Sequence, residues 1–116
     1  VPAFAPAVNP AIQQAAMQTA QLKEMLKEAM QPAHREMAAE GLCAAGQGTN
    51  PEVRQMLLNA VKEDPAASVR ATCLRCLAKQ NAVDETLQVA MAAAQHDKDS
   101  RVRDEAKSIA QQMSRK

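Results

Sequence analysis

The sequence predicts an all-α fold, an α-solenoid of three antiparallel helix pairs preceded by a Pro- and Ala-rich tail. Three observations predict it. Strand-favouring residues are sparse, and Phe4 is the only aromatic residue among 116, so the core has to come from Ala, Leu, Met, Val, Ile and Cys, most of them good helix formers. Apolar positions recur at helical spacing in segments punctuated by Pro and Gly. Finally, the second half of the chain repeats itself at a shift of 33 residues.

Residues 1–9, VPAFAPAVN, carry two prolines and no helical periodicity, and read as a flexible linker or tail. Order is expected from position 10. Asn9-Pro10 is a helix-start pair, because Asn caps and Pro at the first helical position lacks only an N–H that would be unpaired anyway. The first helix is expected over 10–30, with Leu22, Met25, Leu26 and Ala29 inward at i, i+3, i+4 and i+7. Pro32 ends it, since the residue before proline is pushed out of the α region. The second helix covers 32–45 and stops at the GQGTN segment, where Gly46 and Gly48 suit left-handed turns. Asn50-Pro51 repeats the start pair and opens a third helix over 51–63. The fourth, fifth and sixth follow over 66–79, 84–96 and 99–114. Short connections make neighbours antiparallel, and the units run 10–46, 50–80 and 83–115.

The repeat gives the architecture. Asp64-Pro-Ala-Ala-Ser-Val-Arg70 aligns with Asp97-Lys-Asp-Ser-Arg-Val-Arg103, which places Val69 on Val102, Cys73 on Ala106, Cys76 on Ile109 and Leu77 on Ala110. Each set occupies one helix face. A looser copy stands 35 residues upstream, with His34, Arg35, Ala38, Gly41 and Leu42 in the matching places. Near-constant periods in the thirties, built of helix pairs, mark solenoids in which each unit buries its apolar face against its neighbours.

An apolar helix ending in Asp, a short turn, then Val-Arg opening a second helix resembles the HEAT repeat. QMLLNAVKEDPAASVRATCLRCLAKQ (55–80) carries the pattern most fully, and LQVAMAAAQHDKDSRVRDEAKSIAQQ (87–112) nearly as well. The first unit departs from it, with His34 for the Val and Ala29 for the turn Asp. The resemblance implies a right-handed superhelix and a protein-protein interaction or scaffold role, with the Val-Arg helices lining the concave side. It also implies an alternative, because some bacterial HEAT-like proteins are subunits of bilin-chromophore lyases. Such a role wants aromatic ligand contacts, and only Phe4 is on offer. A third relative, the HEAT-like alkylpurine glycosylase, would require a basic groove and aromatics that this sequence lacks.

Charge and chemistry exclude more than they identify. Fourteen basic residues against 13 acidic ones give a net charge of +1, so no global field draws the chain to nucleic acid or an anionic membrane. Its apolar runs are broken by charges short of a membrane-spanning length. Cys73-Leu-Arg-Cys76 has the CxxC spacing. It lies mid-helix on the inward face, without the second ligand pair of a zinc site or the helix N-terminus of a redox dithiol, and reads as buried apolar packing. No metal or cofactor is expected. Three cysteines without a disulfide framework favour a reducing, cytoplasmic setting. His34 and His96 have no nucleophile or carboxylate placed beside them by sequence logic, and the glycines match no phosphate loop. No enzyme activity is expected, and the chain reads as a monomer or part of a longer repeat array.

Two sets of site residues follow. Asp64 with Arg70, and Asp97 with Arg103, are expected to pair within their units and form a structural ladder along the turns. A partner is expected on the exposed faces of helices two, four and six. Opposite the inward stripe of helix four lie Ala71, Leu74, Arg75 and Ala78. The equivalents are Glu36, Ala39, Glu40 and Cys43 in helix two, and Asp104, Lys107, Ser108 and Gln111 in helix six. Glu36, Glu40, Arg75, Lys107 and Gln111 are the candidate contacts.

Overall fold

The structure, a computed structural model, describes residues 10–45, 50–80 and 85–114, with side chains from residue 18 onward. The expected tail, 1–9, lies outside the described residues. Six helices follow one another: α1 (Pro10–Glu28), α2 (Pro32–Ala44), α3 (Pro51–Glu63), α4 (Ala67–Lys79), α5 (Glu85–Gln95) and α6 (Ser100–Ser114). Among the described residues there is no strand.

Local chemistry accounts for the boundaries. Pro32 and Pro51 stand in the first turns of α2 and α3, and the Asn50 side chain accepts from the Glu52 N–H at 2.9 Å, satisfying one of the first-turn donors. The two turn aspartates work alike: Asp64 Oδ1 accepts from the Ala66 N–H and Asp97 Oδ1 from the Asp99 N–H, each at 2.9 Å. Asp99 in turn accepts from the Arg101 N–H at 2.8 Å, at the entry to α6. That bond and the Arg101 guanidinium beside it, the larger influence, hold the Asp99 carboxyl down at about 2.

The helices pack in two layers. In one, α2 lies against α4 and α4 against α6; in the other, α3 lies against α5, while α1 and α3 barely touch. Within each pair α1 packs on α2, α3 on α4 and α5 on α6. Between α1 and α3 the stack opens into a groove of about 950 Å³, bridged by the Lys23–Glu52 ion pair. At its first joint the array is therefore splayed on the odd-helix side and closed on the even-helix side, which bends it toward α2 and α4.

Small residues set the closeness of the joints. A Cβ at Gly41 would stand 3.1 and 3.2 Å from the two δ-methyls of Leu22, so the bare backbone of α2 lets α1 pack directly onto it. Ala38 and Ala39 in α2 and Ala90 and Ala94 in α5 are fully buried, and larger side chains there would force the helices apart. The filling comes from Leu42, Leu57, Leu74 and Leu77, all with no exposed surface, each contributing roughly 1.5–3 kcal/mol of burial.

The stripe expected to face inward on α4 does so: Val69, Cys73 and Leu77 are fully buried and Cys76 nearly so. The opposite side of α4 is not the free surface expected of it. Leu74 is completely buried, and Ala71 and Ala78 are half-buried. Ala39, its counterpart in α2, is also buried. The reason is position in the array. α4 lies between α2 and α6 and buries eight of its 13 residues, whereas α6, at the end of the described array, buries three of 15.

The end helices also show which way each position looks. Ala39 and Leu74 are buried but their equivalent in α6, Lys107, is exposed, so this position faces the following repeat. Val69 and Val102 are buried but their equivalent in α2, His34, is exposed, so that position faces the preceding one.

Candidate protein-binding surface

The polar chemistry of the molecule falls in two places, along the turns and across the even helices. Along the turns, Arg35, Arg70 and Arg103 stand at equivalent points in the first turns of α2, α4 and α6. Each donates through Nη1 to the backbone carbonyl six residues earlier: Ala29 at 2.8 Å, Asp64 at 2.7 Å and Asp97 at 2.6 Å. The first two use the opposite edge of the guanidinium on the next repeat. Arg35 Nε and Nη2 reach Asp64 Oδ2 and Oδ1 at 2.8 and 2.9 Å. Arg70 Nε and Nη2 reach Asp97 Oδ2 and Oδ1 at 2.8 and 3.0 Å.

This corrects the expected pairing. The carboxylates of Asp64 and Asp97 do not meet Arg70 and Arg103 of their own units; they meet Arg35 and Arg70 of the preceding ones. Six residues separate each Arg from its own turn, which leaves it under the turn's carbonyl, while the carboxylate leans across the joint. Arg35 is the member that the expected pairs omit, and its alignment with Arg70 is the signal for it. Burial alone would push the Asp97 carboxyl up, but the Arg70 hydrogen bonds and the Asp99 N–H overcome it and hold the group below the usual carboxylate range. Asp64 in turn raises the Arg35 guanidinium further above its ordinary value.

Across the even helices a second network connects three helices. Thr72, buried in α4, donates to Glu36 Oε1 on α2 at 3.4 Å and accepts from Arg75 Nη2 at 3.3 Å. Arg75 Nη1 reaches Glu105 Oε1 on α6 at 3.0 Å. Among the candidate contacts, Glu36 and Arg75 are thus engaged internally. Glu40, Lys107 and Gln111 are exposed. Lys107, however, sits at the position that faces a following repeat, so it lies on the far edge of the described helices and not on their open side. The open side of the even helices is centred instead on Met37 and Glu40 of α2, Arg75 and Lys79 of α4 and Ser108 of α6. Met37 is 60% exposed.

The cysteines line the joint between α2 and α4. Cys76 Sγ lies 3.6 Å from the Ala39 carbonyl oxygen, and Gln80 Nε2 donates to the Cys43 carbonyl at 3.1 Å. The neighbouring Cys76 sulfur and partial burial raise the Cys43 thiol above its ordinary value. Burial pushes the Cys73 thiol up. Among the described residues no group of His, Cys, Asp and Glu is placed to hold a metal ion. Thiol labelling of the native chain should modify half-buried Cys43 first. Cys73 should react on the order of a hundredfold more slowly, through transient opening. Peptide mass spectrometry reads the order, and rapid labelling of Cys73 or stoichiometric zinc would contradict it. His34 and His96 are exposed, on α2 and just beyond α5. No described helix is long and apolar enough to cross a membrane.

The family described as HEAT repeats matches residues 19–110. No curated protein and no solved structure matches the chain.

Proposed function

Because the chain belongs to the HEAT-repeat family, whose members generally mediate protein-protein interaction or scaffolding, we propose that it is an interaction module and binds a protein or peptide along α2, α4 and α6. The observation that carries this reading is the internally braced face: the Glu36–Thr72–Arg75–Glu105 network fixes three helices relative to one another. Exposed Met37 and Glu40, and Lys79 beside them, are left available for contact. A rigid face loses little conformational freedom on binding. Repeat arrays bind across such extended surfaces, and the separated charges of Glu40 and Lys79 orient a partner more than they tighten it.

Without Trp or Tyr anchors the affinity of three repeats is modest. With the partner obtained by affinity capture, the double charge reversal Glu40→Lys and Lys79→Glu should weaken binding at least fivefold. The unfolding midpoint should stay within about 0.5 kcal/mol, because both side chains are exposed. Binding that survives the reversal, yet is abolished by changes on α3 or α5, would place the partner on the other layer. A bilin-lyase role would show itself separately, as a coloured or covalently held chromophore in the absorbance and mass spectra.

A further inference from the structure

Two of the three cysteines belong to different repeats and meet across one joint. Cys43 is in the last turn of α2 and Cys76 in the last turn of α4, and two contacts set these helices in register there. Cys76 Sγ lies 3.6 Å from the Ala39 carbonyl oxygen, and one turn farther along both helices Gln80 Nε2 donates to the Cys43 carbonyl at 3.1 Å. Cys43 stands one turn beyond Ala39, and a helical side chain leans back over the turn that precedes it. Its sulfur is therefore carried toward the Ala39 carbonyl, the spot that the Cys76 sulfur already occupies. Ala38 and Ala39, fully buried, let the two backbones come close. Access differs among the sulfurs: Cys43 is half-buried, Cys76 is 5% exposed and Cys73 has no exposed surface. The CxxC mate of Cys76 is thus sealed in the core, whereas Cys43 opens to solvent.

We propose that Cys43 and Cys76 are a redox-active dithiol that closes into a disulfide between the first two repeats, with a low-molecular-weight disulfide such as oxidised glutathione as the oxidant. Cys43, as the thiolate, attacks one sulfur of the oxidant; a Cys43–glutathione disulfide forms and one glutathione thiolate leaves. The Cys76 thiolate then attacks the Cys43 sulfur and expels the second glutathione. The two cysteine thiols lose two electrons and two protons, and the disulfide of the oxidant is reduced to two thiols. The neighbouring sulfur and partial burial raise the Cys43 thiol, so the entry step is slow at neutral pH and quickens as pH rises.

The bond joins α2 to α4 on the side where the stack is closed, while α1 and α3 barely touch on the other. Glu40 and Lys79 stand three residues from Cys43 and Cys76, so the same bond fixes their spacing. Disulfide formation needs no partner on that face, and the two readings fail independently.

The full chain is incubated in a glutathione redox buffer, quenched with acid, alkylated and cut with trypsin. Cleavage after Arg75 separates Cys73, in peptide 71–75, from Cys76, in peptide 76–79, and Cys43 falls in 36–54. The expected result is a monomeric chain in which 36–54 is linked to 76–79. The link should form faster as pH rises toward the ordinary thiol pKa of about 8.5, and the urea midpoint of the oxidised chain should lie about 1 M above that of the reduced one. Cys73→Ala should keep the link. Cys76→Ser should hold Cys43 as its glutathione adduct, which the unaltered chain discharges on the order of tenfold faster because its resolving thiol is intramolecular. If serine at that position loosens the joint, the peptide map of the unaltered chain still decides the matter. A Cys43 adduct that persists in the unaltered chain, a link through 71–75, bonds only between chains, or no oxidation at all would overturn the proposal.

Discussion

Arg70→Ala should lower the stability of the chain by about 3 kcal/mol or more, the range for removing one member of a buried ion pair. The side chains of Arg70 and Asp97 are 5% and 9% exposed, and the substitution strips Asp97 of both guanidinium hydrogen bonds and the Asp64 carbonyl of its donor. Against a total of roughly 5–15 kcal/mol for a domain, this is a large fraction. It should move the urea midpoint by about 2 M, given slopes of about 1–3 kcal/mol per molar for small proteins.

The pair also sets an acid dependence. The Asp97 carboxyl is held below its ordinary value, so its contribution is fully present above the unfolded-state pKa of about 3.9. The contribution is lost as pH falls through the lower folded value. Stability of the unaltered chain should therefore decline below about pH 4, and in Arg70→Ala the share that Arg70 contributes through Asp97 should disappear. The double replacement Arg70→Met with Asp97→Leu tests what the pair is for. Apolar substitutes of similar size often restore or raise stability. Recovered stability with a slipped repeat register, seen by NMR, would assign the pair a registering role; an unchanged midpoint in Arg70→Ala would remove the ladder from the stability of the fold.

Leu74→Ala should cost about 3 kcal/mol, within the 2–5 kcal/mol range for deleting a fully buried leucine. Leu74 has no exposed surface and faces the repeat that follows. The equivalent change at the edge, Lys107→Ala, should stay within about 0.5 kcal/mol, because Lys107 is exposed. The contrast matters more than either value, since the two positions are related by the 33-residue shift and differ in side chain and in whether a described repeat lies beyond them. Chemical denaturation of both variants checks it. Equal costs would mean that α4 and α6 do not stand in the middle and at the edge of the same stack.

The ladder and Leu74 mark the boundary of what could be read from the chain. Helix number, type and ends were legible because they rest on local chemistry: the Asn-Pro and Gln-Pro junctions, the turn aspartates and the 3.6-residue periodicity. The inward stripe Val69, Cys73 and Leu77 was legible for the same reason, and so was the family. Leu74 was misjudged because a helix's own periodicity describes one apolar stripe, while the middle member of a stack is covered on both flanks. Shifted by 33 residues, the same position reads as lysine and looks like surface.

The carboxylate partners were misjudged by one repeat. Sequence proximity favours the arginine six residues away, but a guanidinium has two usable edges. The short separation allows only the one that meets the turn's carbonyl. Its other edge spans the 27 or 29 residues to the next aspartate, a distance that only stacking makes short. The sequence by itself determined the helices, their pairing and the repeat, because these follow from bonds within a few residues. Which flank of a helix is covered, and which arginine meets which aspartate, was decided by the tertiary structure alone, because both depend on what lies across the joint between repeats.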